Sequence, residues 1–346
     1  MIASVLLMHP LGEMQRPMSQ NPDRYGNMTY RRCGLSGLRL PAISFGLWQG
    51  TGSYVDDAAT RSIVHCAFDH GITHFDLANN YGNPAGASEE LFGRILRGMP
   101  RHELVVSSKA GYSMWPGPYG EGSSRKHLLA SCEQSLKRLG VDHVDIFYSH
   151  RFDPGTPLEE TLEALDMLVR QGKAIYAGIS SYPEPHFSDA LRIVAARNWA
   201  PITIHQPRYS MLDRKAEYDV LPTAGKEGVG VIGFSPLAQG LLTGRYLDGI
   251  PGDSRAVLNK GNGALTADRL TAPLVAKLKA LNDVAKARGQ SLAQMALAWL
   301  LRDERLTSVL IGASKPGQIG ECVACLANLS FDAKELETID KILKTD

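Results

Sequence analysis

The chain has 346 residues, with 37 Lys and Arg against 36 Asp and Glu, a net charge of +1 and a hydrophobic fraction of 44%. That length accommodates two average domains or one large α/β barrel. The near-neutral balance leaves no ground for a broad nucleic-acid or membrane surface, so any phosphate site must be local, and no apolar run approaches the length of a membrane span.

The first 27 residues, MIASVLLMHPLGEMQRPMSQNPDRYGN, hold a short apolar stretch broken by Pro10, without the basic segment of a secretory signal. They read as a flexible extension, with Met18 and Met28 as alternative starts, ahead of one domain over 28–346. Thr29–Arg32 and Arg39–Pro41 flank Leu35-Ser36-Gly37 and predict a hairpin. After it, β-rich runs alternate with helical patterns. Strands are expected at Ile43–Gly46, Thr73–Asp76, Leu104–Lys109, Val144–Tyr148, Ala174–Ile179, Thr203–Gln206, Val229–Ser235 and Ser308–Ile311. Helices are expected at Asp57–Asp69, Ser88–Leu96, Lys126–Leu139, Leu158–Arg170, His186–Ala196 and around Asp219–Lys226. Pro157 suits a first helical position, and Gly71, Gly140 and Gly228 suit helix ends.

Short apolar strands separated by helices argue for a parallel sheet buried on both faces. Eight of them fit a closed (β/α)8 TIM barrel with the hairpin capping its bottom. The competing architecture is an open, doubly wound sheet, whose first turn carries G-x-G-x-x-G. The sequence GLWQGTG after the first strand does not fit that fingerprint. Two departures from the repeat stand out. Ser235–Gly263 is a long Gly- and Pro-rich segment, and loops of that length are uncommon unless functional. Thr271–Arg288 and Leu292–Leu301 then read as two helices before the last strand, and Ser330–Lys344 as a terminal helix on the outside.

The five cysteines, Cys33, Cys66, Cys132, Cys322 and Cys325, are odd in number and scattered, which points to a reducing cytoplasm rather than a disulfide framework. Cys322 and Cys325 form a CxxC inside a late helix, away from the strand-to-helix position of a redox pair.

In a barrel, the C-terminal ends of the strands face the active site. Asp76 closes the second barrel strand, Tyr81 sits in the loop after it, Lys109 ends the third strand and His150 follows the fourth. Each of these residues alone has a structural reading, as a turn residue, a solvated charge or a satisfied histidine. Together on one face they point to a tyrosine that gives a proton to a carbonyl. A lysine cation nearby should lower the phenol from its free pKa of about 10 toward working pH. Asp76 would hold the lysine charged, and His150 would hydrogen-bond the carbonyl oxygen. No His-x-His pair accompanies them and Lys109 would oppose a dication, so no metal site is expected.

The motifs GITHFDLANNYG, VVSSKAGY, VDIFYSHRFDPGTPLEET, GKAIYAGISSY, GFSPLAQGLLTGRY and SVLIGASKPGQI resemble those of the aldo-keto reductases over nearly the whole chain, from Met28 to Ile342. Within that family the likeness is strongest to the branch of bacterial glyceraldehyde 3-phosphate reductases and, further off, the β subunits of voltage-gated potassium channels. The resemblance implies an NADPH-dependent reductase of small aldehydes, such as glyceraldehyde 3-phosphate or methylglyoxal-like 2-oxoaldehydes, with the tetrad Asp76, Tyr81, Lys109 and His150. It also implies NADPH laid across the barrel mouth and a homo-oligomer, tetrameric or larger, in the cytoplasm. Ser180, Ser181 and Gln206 would hold the carboxamide, Phe234 would stack on the nicotinamide, and Trp48 and Asp76 would be further cofactor contacts.

Ser235, Pro236, Leu237, Gly240 and Leu241 would belong to a loop covering the pyrophosphate, with Arg245 and Arg255 at its far end. Gly312 would meet the cofactor at the end of the eighth strand, and Ser314 and Lys315 would take the 2′-phosphate, with Gln318 and Glu321 near adenine; Cys322 stands where relatives often carry Asn. Trp48, Tyr81, Trp115, His150 and Arg151, with Tyr112 and Met114, are candidates for the substrate mouth, and Arg151 would suit a phosphorylated aldehyde or pair with Asp153. The other functional reading is a nucleotide-binding regulatory subunit like the channel β subunits. These carry Asn at the position of His150, which favours the enzyme here.

Overall fold

A computed structural model describes residues 21–48, 56–252, 254, 257 and 265–344. Among the described residues, ten strands and eleven α-helices order the chain. A hairpin of β1 (Tyr30–Arg32) and β2 (Arg39–Pro41) precedes eight parallel strands. These are β3 (Ile43–Gly46), β4 (His74–Asp76), β5 (Val105–Ala110), β6 (Val144–Ser149), β7 (Ala174–Ser180), β8 (Ile202–Gln206), β9 (Gly230–Phe234) and β10 (Ser308–Ile311). They pair in chain order, and β10 closes on β3 through Val309–Ile43 and Ile311–Phe45, so the sheet is a closed barrel and not an open, doubly wound one.

The helices are α1 (Asp57–Asp69), α2 (Ala87–Leu96), α3 (Arg125–Leu139), α4 (Leu158–Arg170), α5 (His186–Arg197), α6 (Lys215–Tyr218) and α7 (Leu221–Glu227). After β9 come α8 (Ala272–Ala287) and α9 (Leu292–Leu301), and after β10 come α10 (Gly317–Val323) and α11 (Ala333–Lys344). The single helix expected around Asp219–Lys226 is thus two short ones, and the terminal helix starts at Ala333 rather than Ser330. Pro157 is the cap of α4, one residue before the position expected for it.

Local chemistry sets the helix ends. Asp56 accepts from the backbone N–H of Ala58 and Ala59 at the start of α1, and Ser124 accepts from His127 at the start of α3. Ser291 and Gln294 form a reciprocal capping box on α9, satisfying two otherwise orphaned donors. Gly140 and Gly228 end α3 and α7 in the left-handed conformation. The helix α9, LAQMALAWLL, is buried on all sides, with Trp299 fully enclosed, because α8, α10 and the loop after β9 pack around it.

Of three apolar clusters among the described residues, two make up the core of the barrel and a small third joins Tyr246 to Leu265. The larger of the two lies between the strands and the surrounding helices. The smaller fills the barrel's lower interior with Ile146, Tyr148, Ile204 and Ile232, and is sealed from below by Cys33, Leu38 and Leu40 of the hairpin segment. The hairpin therefore caps the bottom, and the open mouth lies at the other end.

Residues 1–20 of the expected extension lie outside the described residues. Its last stretch lies against the barrel: Asn21 Nδ2 donates to Asp69 O at 3.0 Å, Arg24 sits 4.2 Å over the Phe68 ring, and Tyr25 donates to Glu103. All five cysteines are free. Cys322 lies in α10 and Cys325 in the turn after it; burial raises both thiols, Cys322 to about 12, which leaves them unreactive.

Gly93 on α2 sets the approach of that helix to α3. A Cβ there would lie 2.6 Å from the carbonyl oxygens of Arg138 and Leu139. Backbone cannot move aside as a side chain can, so Gly93→Ala is expected to destabilise the fold. Overpacking costs about 1–3 kcal/mol, which exceeds the helix-propensity gain of about 1 kcal/mol. A lower midpoint in chemical denaturation is the expected reading; an unchanged or higher one would mean that α2 can shift freely.

Candidate active site

The barrel brings the four residues of the expected tetrad to its C-terminal mouth. Asp76 is the last residue of β4 and Lys109 the fifth of β5, which pair with Asp76 opposite Ser107. Both charged side chains are fully buried, and Lys109 Nζ lies 2.5 Å from Asp76 Oδ2. Lys109 also donates to the Leu77 carbonyl at 2.7 Å. Its ammonium sits 5.1 Å from the centre of the Tyr81 ring, leaving one N–H for that side. His150 follows β6 and is 8% exposed; its ring stands edge-on to Tyr81 at 5.7 Å and to Tyr112 at 4.6 Å. Trp48 closes the other side of Tyr81, with ring centres 6.3 Å apart.

The electrostatics differ from the simple expectation at Tyr81. Burial, then the Asp76 carboxylate, then Tyr112 push its phenol well above the ordinary value, where the lysine was expected to pull it down. Burial is the main reason, and the Asp76 carboxylate adds to it, while Lys109, facing the ring, is paired with that carboxylate. Tyr81 is therefore a held phenol. Burial also lowers Lys109, against the stabilising pull of Asp76. His150 is driven well below its ordinary value by burial, Lys109 and Arg151. Its imidazole is neutral and can give a single hydrogen bond to an oxygen in the mouth.

Two residues outside the tetrad complete the support of Asp76. Ser107 Oγ donates to Asp76 Oδ1 at 2.7 Å, and Gln206 Nε2 donates to the same oxygen at 3.2 Å. Gln206, expected at a carboxamide, thus also braces the carboxylate. Ser107 escaped sequence reasoning although its position carried a signal: it stands two residues before Lys109 on the same strand, so both face the barrel interior. Beneath Lys109 lies the Tyr148 ring, 5.7 Å away. Gly178 makes room for it, since a Cβ there would fall 2.5 Å from a Tyr148 ring carbon.

The other expected residues line the rim. Ser180 ends β7 and donates to the Gln206 carbonyl at 2.9 Å; Ser181 follows it, exposed, at φ +54°. Phe234 ends β9 half-exposed, with Arg208 5.9 Å over its ring. Past it, Ser235, Ala238 and Gln239 hold φ of +55°, +47° and +61°, followed by Gly240 at +97°. Left-handed backbone at three non-glycine residues is strained and gathers at functional loops. Pro236 is buried, Leu237 and Leu241 pack on the core, and Arg245 is exposed at the far end. Arg255 lies outside the described residues.

After β10, Gly312 leads into an exposed turn. The backbone N–H groups of Ser314 and Lys315 both donate to Gln318 Oε1, at 2.8 and 3.2 Å, as does the Ser314 hydroxyl at 3.3 Å. Three donors converging on one oxygen mark a place suited to an anion's oxygen. Glu321 is engaged elsewhere, accepting from the Ser291 hydroxyl at 3.0 Å. The rim therefore fits a dinucleotide: hydroxyls and an amide near the tetrad, a strained loop, and a convergent set of donors at the far end.

At the substrate side, Arg151 pairs with Glu121, donates to the Gly111 carbonyl at 3.3 Å and lies 4.5 Å over the Tyr112 ring. Its ion-pair partner is Glu121, not the Asp153 that sequence offered. Trp115 lies tilted against His127 of α3, with ring centres 5.1 Å apart. Tyr112 has the stronger claim to the mouth.

A closed parallel barrel whose strand ends gather Asp, Tyr, Lys and His is the architecture of one enzyme family: the chain belongs to the aldo/keto reductase family, whose model matches residues 42–344. It is accordingly an oxidoreductase of carbonyl compounds that works with a nicotinamide cofactor. It is 55% identical over 328 residues to the L-glyceraldehyde 3-phosphate reductase of Escherichia coli (strain K12), spanning 93% of this chain and 94% of that protein. It is also 38% identical over 302 residues to a probable voltage-gated potassium channel subunit beta of Arabidopsis thaliana, spanning 85% of this chain and 90% of that one. A putative subunit of the same kind from Schizosaccharomyces pombe is 36% identical over 327 residues, spanning 92% of this chain and 94% of the relative.

Proposed function

We propose that this protein reduces small aldehydes, glyceraldehyde 3-phosphate foremost, to alcohols with NADPH. The observation that carries the reading is the meeting of Tyr81, neutral His150 and the buried Asp76–Lys109 pair at the barrel mouth. The similarity to the bacterial reductase adds support. NADPH, when bound, supplies the hydride. Tyr81 gives its phenol proton to the carbonyl oxygen as negative charge develops there. Lys109, 5.1 Å from that ring and free of water, steadies the phenolate left behind. His150 donates a hydrogen bond to the same oxygen and stays neutral, so it orients the aldehyde without taking over the proton transfer.

Ser180, Ser181 and Gln206 serve the carboxamide, which needs both donors and acceptors, and Phe234 offers the stacking face. Ser235–Leu241 cover the pyrophosphate. Ser314 and Lys315 receive the 2′-phosphate, which displaces the Gln318 carbonyl oxygen from the three donors it now holds. Lys315→Ala should then weaken NADPH by about tenfold to a hundredfold, the worth of one charge-assisted contact at about 1.5–3 kcal/mol, and leave NADH nearly unchanged. Fluorescence titration with both cofactors is the measurement; equal losses for the two would place the 2′-phosphate elsewhere.

Arg151 is the natural reader of a substrate phosphate, because its guanidinium flanks Tyr112 at the entrance and its partner Glu121 is half-exposed. Binding there exchanges one anion for another. Glyceraldehyde 3-phosphate should show a higher kcat/KM than glyceraldehyde, and the advantage should shrink in high salt. Arg151→Ala should abolish the difference and spare methylglyoxal reduction. If both substrates respond alike to the substitution and to salt, a general aldehyde reductase becomes the better account.

A further inference from the structure

The tetrad stands on a file of buried side chains that its chemistry does not use. Ser308 on β10, Ser44 on β3, His74 on β4 and Ser107 on β5 are each fully buried. They link hand to hand: Ser308 Oγ to Ser44 Oγ at 2.7 Å, Ser44 Oγ to His74 Nδ1 at 2.9 Å, His74 Nε2 to Ser107 Oγ at 3.0 Å, and Ser107 Oγ to Asp76 Oδ1 at 2.7 Å. Four neighbouring strands of the barrel thus contribute to one continuous chain that ends on the carboxylate holding Lys109.

The chain has a forced direction. A carboxylate only accepts, so Ser107 spends its single hydrogen on Asp76. Toward His74 it can therefore only accept, and the hydrogen of that bond sits on Nε2. Burial pulls His74 down to about 4, with Asp76 pulling the other way and Lys109 reinforcing the fall, so at neutral pH it carries one N–H. Nδ1 is then bare and accepts from Ser44, which in turn accepts from Ser308. The alternative acceptor for Ser308, the Ala42 carbonyl, is more distant at 3.3 Å. Every link donates toward Asp76, and aligned hydrogen bonds polarise one another. The charged groups facing His74 are Asp76, two residues along its own strand, and Lys109 on β5.

We propose that His74 is a positioning residue for the reduction: locked as the Nε2–H tautomer, it delivers through Ser107 a donor that fixes Asp76, and through Asp76 the ammonium of Lys109 beneath Tyr81. The two polar ends of the imidazole are the reason a histidine stands there, since a residue of similar volume without them would break the file at its middle. Its effect on turnover rests on the reading of Tyr81 as proton donor; the tautomer does not.

The test has two arms. Nitrogen-15 NMR of the histidines at neutral pH, with the His74 signals assigned by their loss in His74→Gln, should show a protonated Nε2 and a bare Nδ1. A protonated Nδ1 would overturn the proposal without any assay. In the second arm, NADPH affinity and turnover are measured for His74→Leu, Ser107→Ala and His74→Gln. The first two should each lose about tenfold or more in kcat while binding NADPH as the parent does, because a hydrogen bond to a charged group is worth about 1.5–3 kcal/mol. Combined in one protein, their losses should fall well short of multiplying, as expected for members of one network.

Gln presents a donor and an acceptor at its end, so His74→Gln should recover turnover to within a few-fold of the parent. A folded His74→Leu protein at parental kcat, or a His74→Gln protein no faster than His74→Leu, would overturn the role. Should His74→Leu not fold, Ser107→Ala alone decides, since it removes one oxygen. A parent protein that turns over no aldehyde would overturn the proposed activity and leave the NMR arm to judge the tautomer.

Discussion

Tyr81→Phe is expected to bind NADPH as tightly as the parent and to reduce aldehydes about a hundredfold to ten-thousandfold more slowly, the range that general acid catalysis contributes. The substitution removes one hydroxyl and keeps the ring that packs between Trp48, His150 and the Lys109 ammonium. Loss of turnover with retained cofactor affinity would therefore isolate the proton. The structure also sets the pH dependence. Because burial, Asp76 and Tyr112 raise the Tyr81 phenol, its proton stays in place through neutral and mildly alkaline solution. Reduction consumes the protonated form, so the rate should hold across that range and fall only as pH passes above about 10, the ordinary tyrosine value. Stopped-flow measurement of NADPH consumption gives both results. Near-parental turnover in Tyr81→Phe would mean that another group or water supplies the proton.

Lys109→Met is the second large effect, and it falls on stability and turnover together. It leaves Asp76 fully buried, with Ser107 and Gln206 still donating but no cation. Breaking a buried ion pair from one side costs about 3–5 kcal/mol, because an uncompensated charge remains. The denaturation midpoint should fall accordingly, and turnover should drop with it for want of a cation under the Tyr81 ring. Adding Asp76→Leu to Lys109→Met should restore much of the stability, since two apolar side chains can replace a buried pair at little cost, and should not restore turnover. A single Lys109→Met protein as stable as the parent would mean that Asp76 takes up a proton at no great cost and that the pair does not hold the barrel mouth together.

The contrast between these residues shows where sequence reading carries and where it stops. Asp76, Lys109 and His150 could be assigned to one face because each follows directly from the end of a short apolar strand, and parallel barrels put those ends together. The strands themselves were legible for the same reason: Ile43–Gly46 and Ser308–Ile311 stand as expected, and the others shift by one residue at one or both ends. Apolar runs bounded by Gly, Pro and charged residues are signals of local origin, and they survive folding. The short helices α6 and α7 read as one from their composition, although Pro222 in the first turn of α7 marks a restart after Asp219 and Val220.

Electrostatics and partner choice were not local. Tyr81 is raised by burial first and by the Asp76 carboxylate second, and only the closed barrel supplies either. Arg151 lies two residues from Asp153 in the chain, yet pairs with Glu121, thirty residues away, which the loop after β5 carries to its side. Trp115 reads as a mouth residue from its loop, and only the fold sets its ring against His127 of α3.

By itself, then, the sequence determined the barrel, the order of its elements and the residues that reach its mouth, because periodicity, caps and turn residues act within a few positions of the chain. Tertiary structure alone decided the state of those residues. The file from Ser308 through Ser44, His74 and Ser107 to Asp76 joins strands more than two hundred residues apart, and neither its direction nor its end on Asp76 exists until the barrel closes. Burial is the physical reason: it strips the water that would otherwise satisfy each hydroxyl and imidazole independently, so that each must take the one partner the closed barrel supplies.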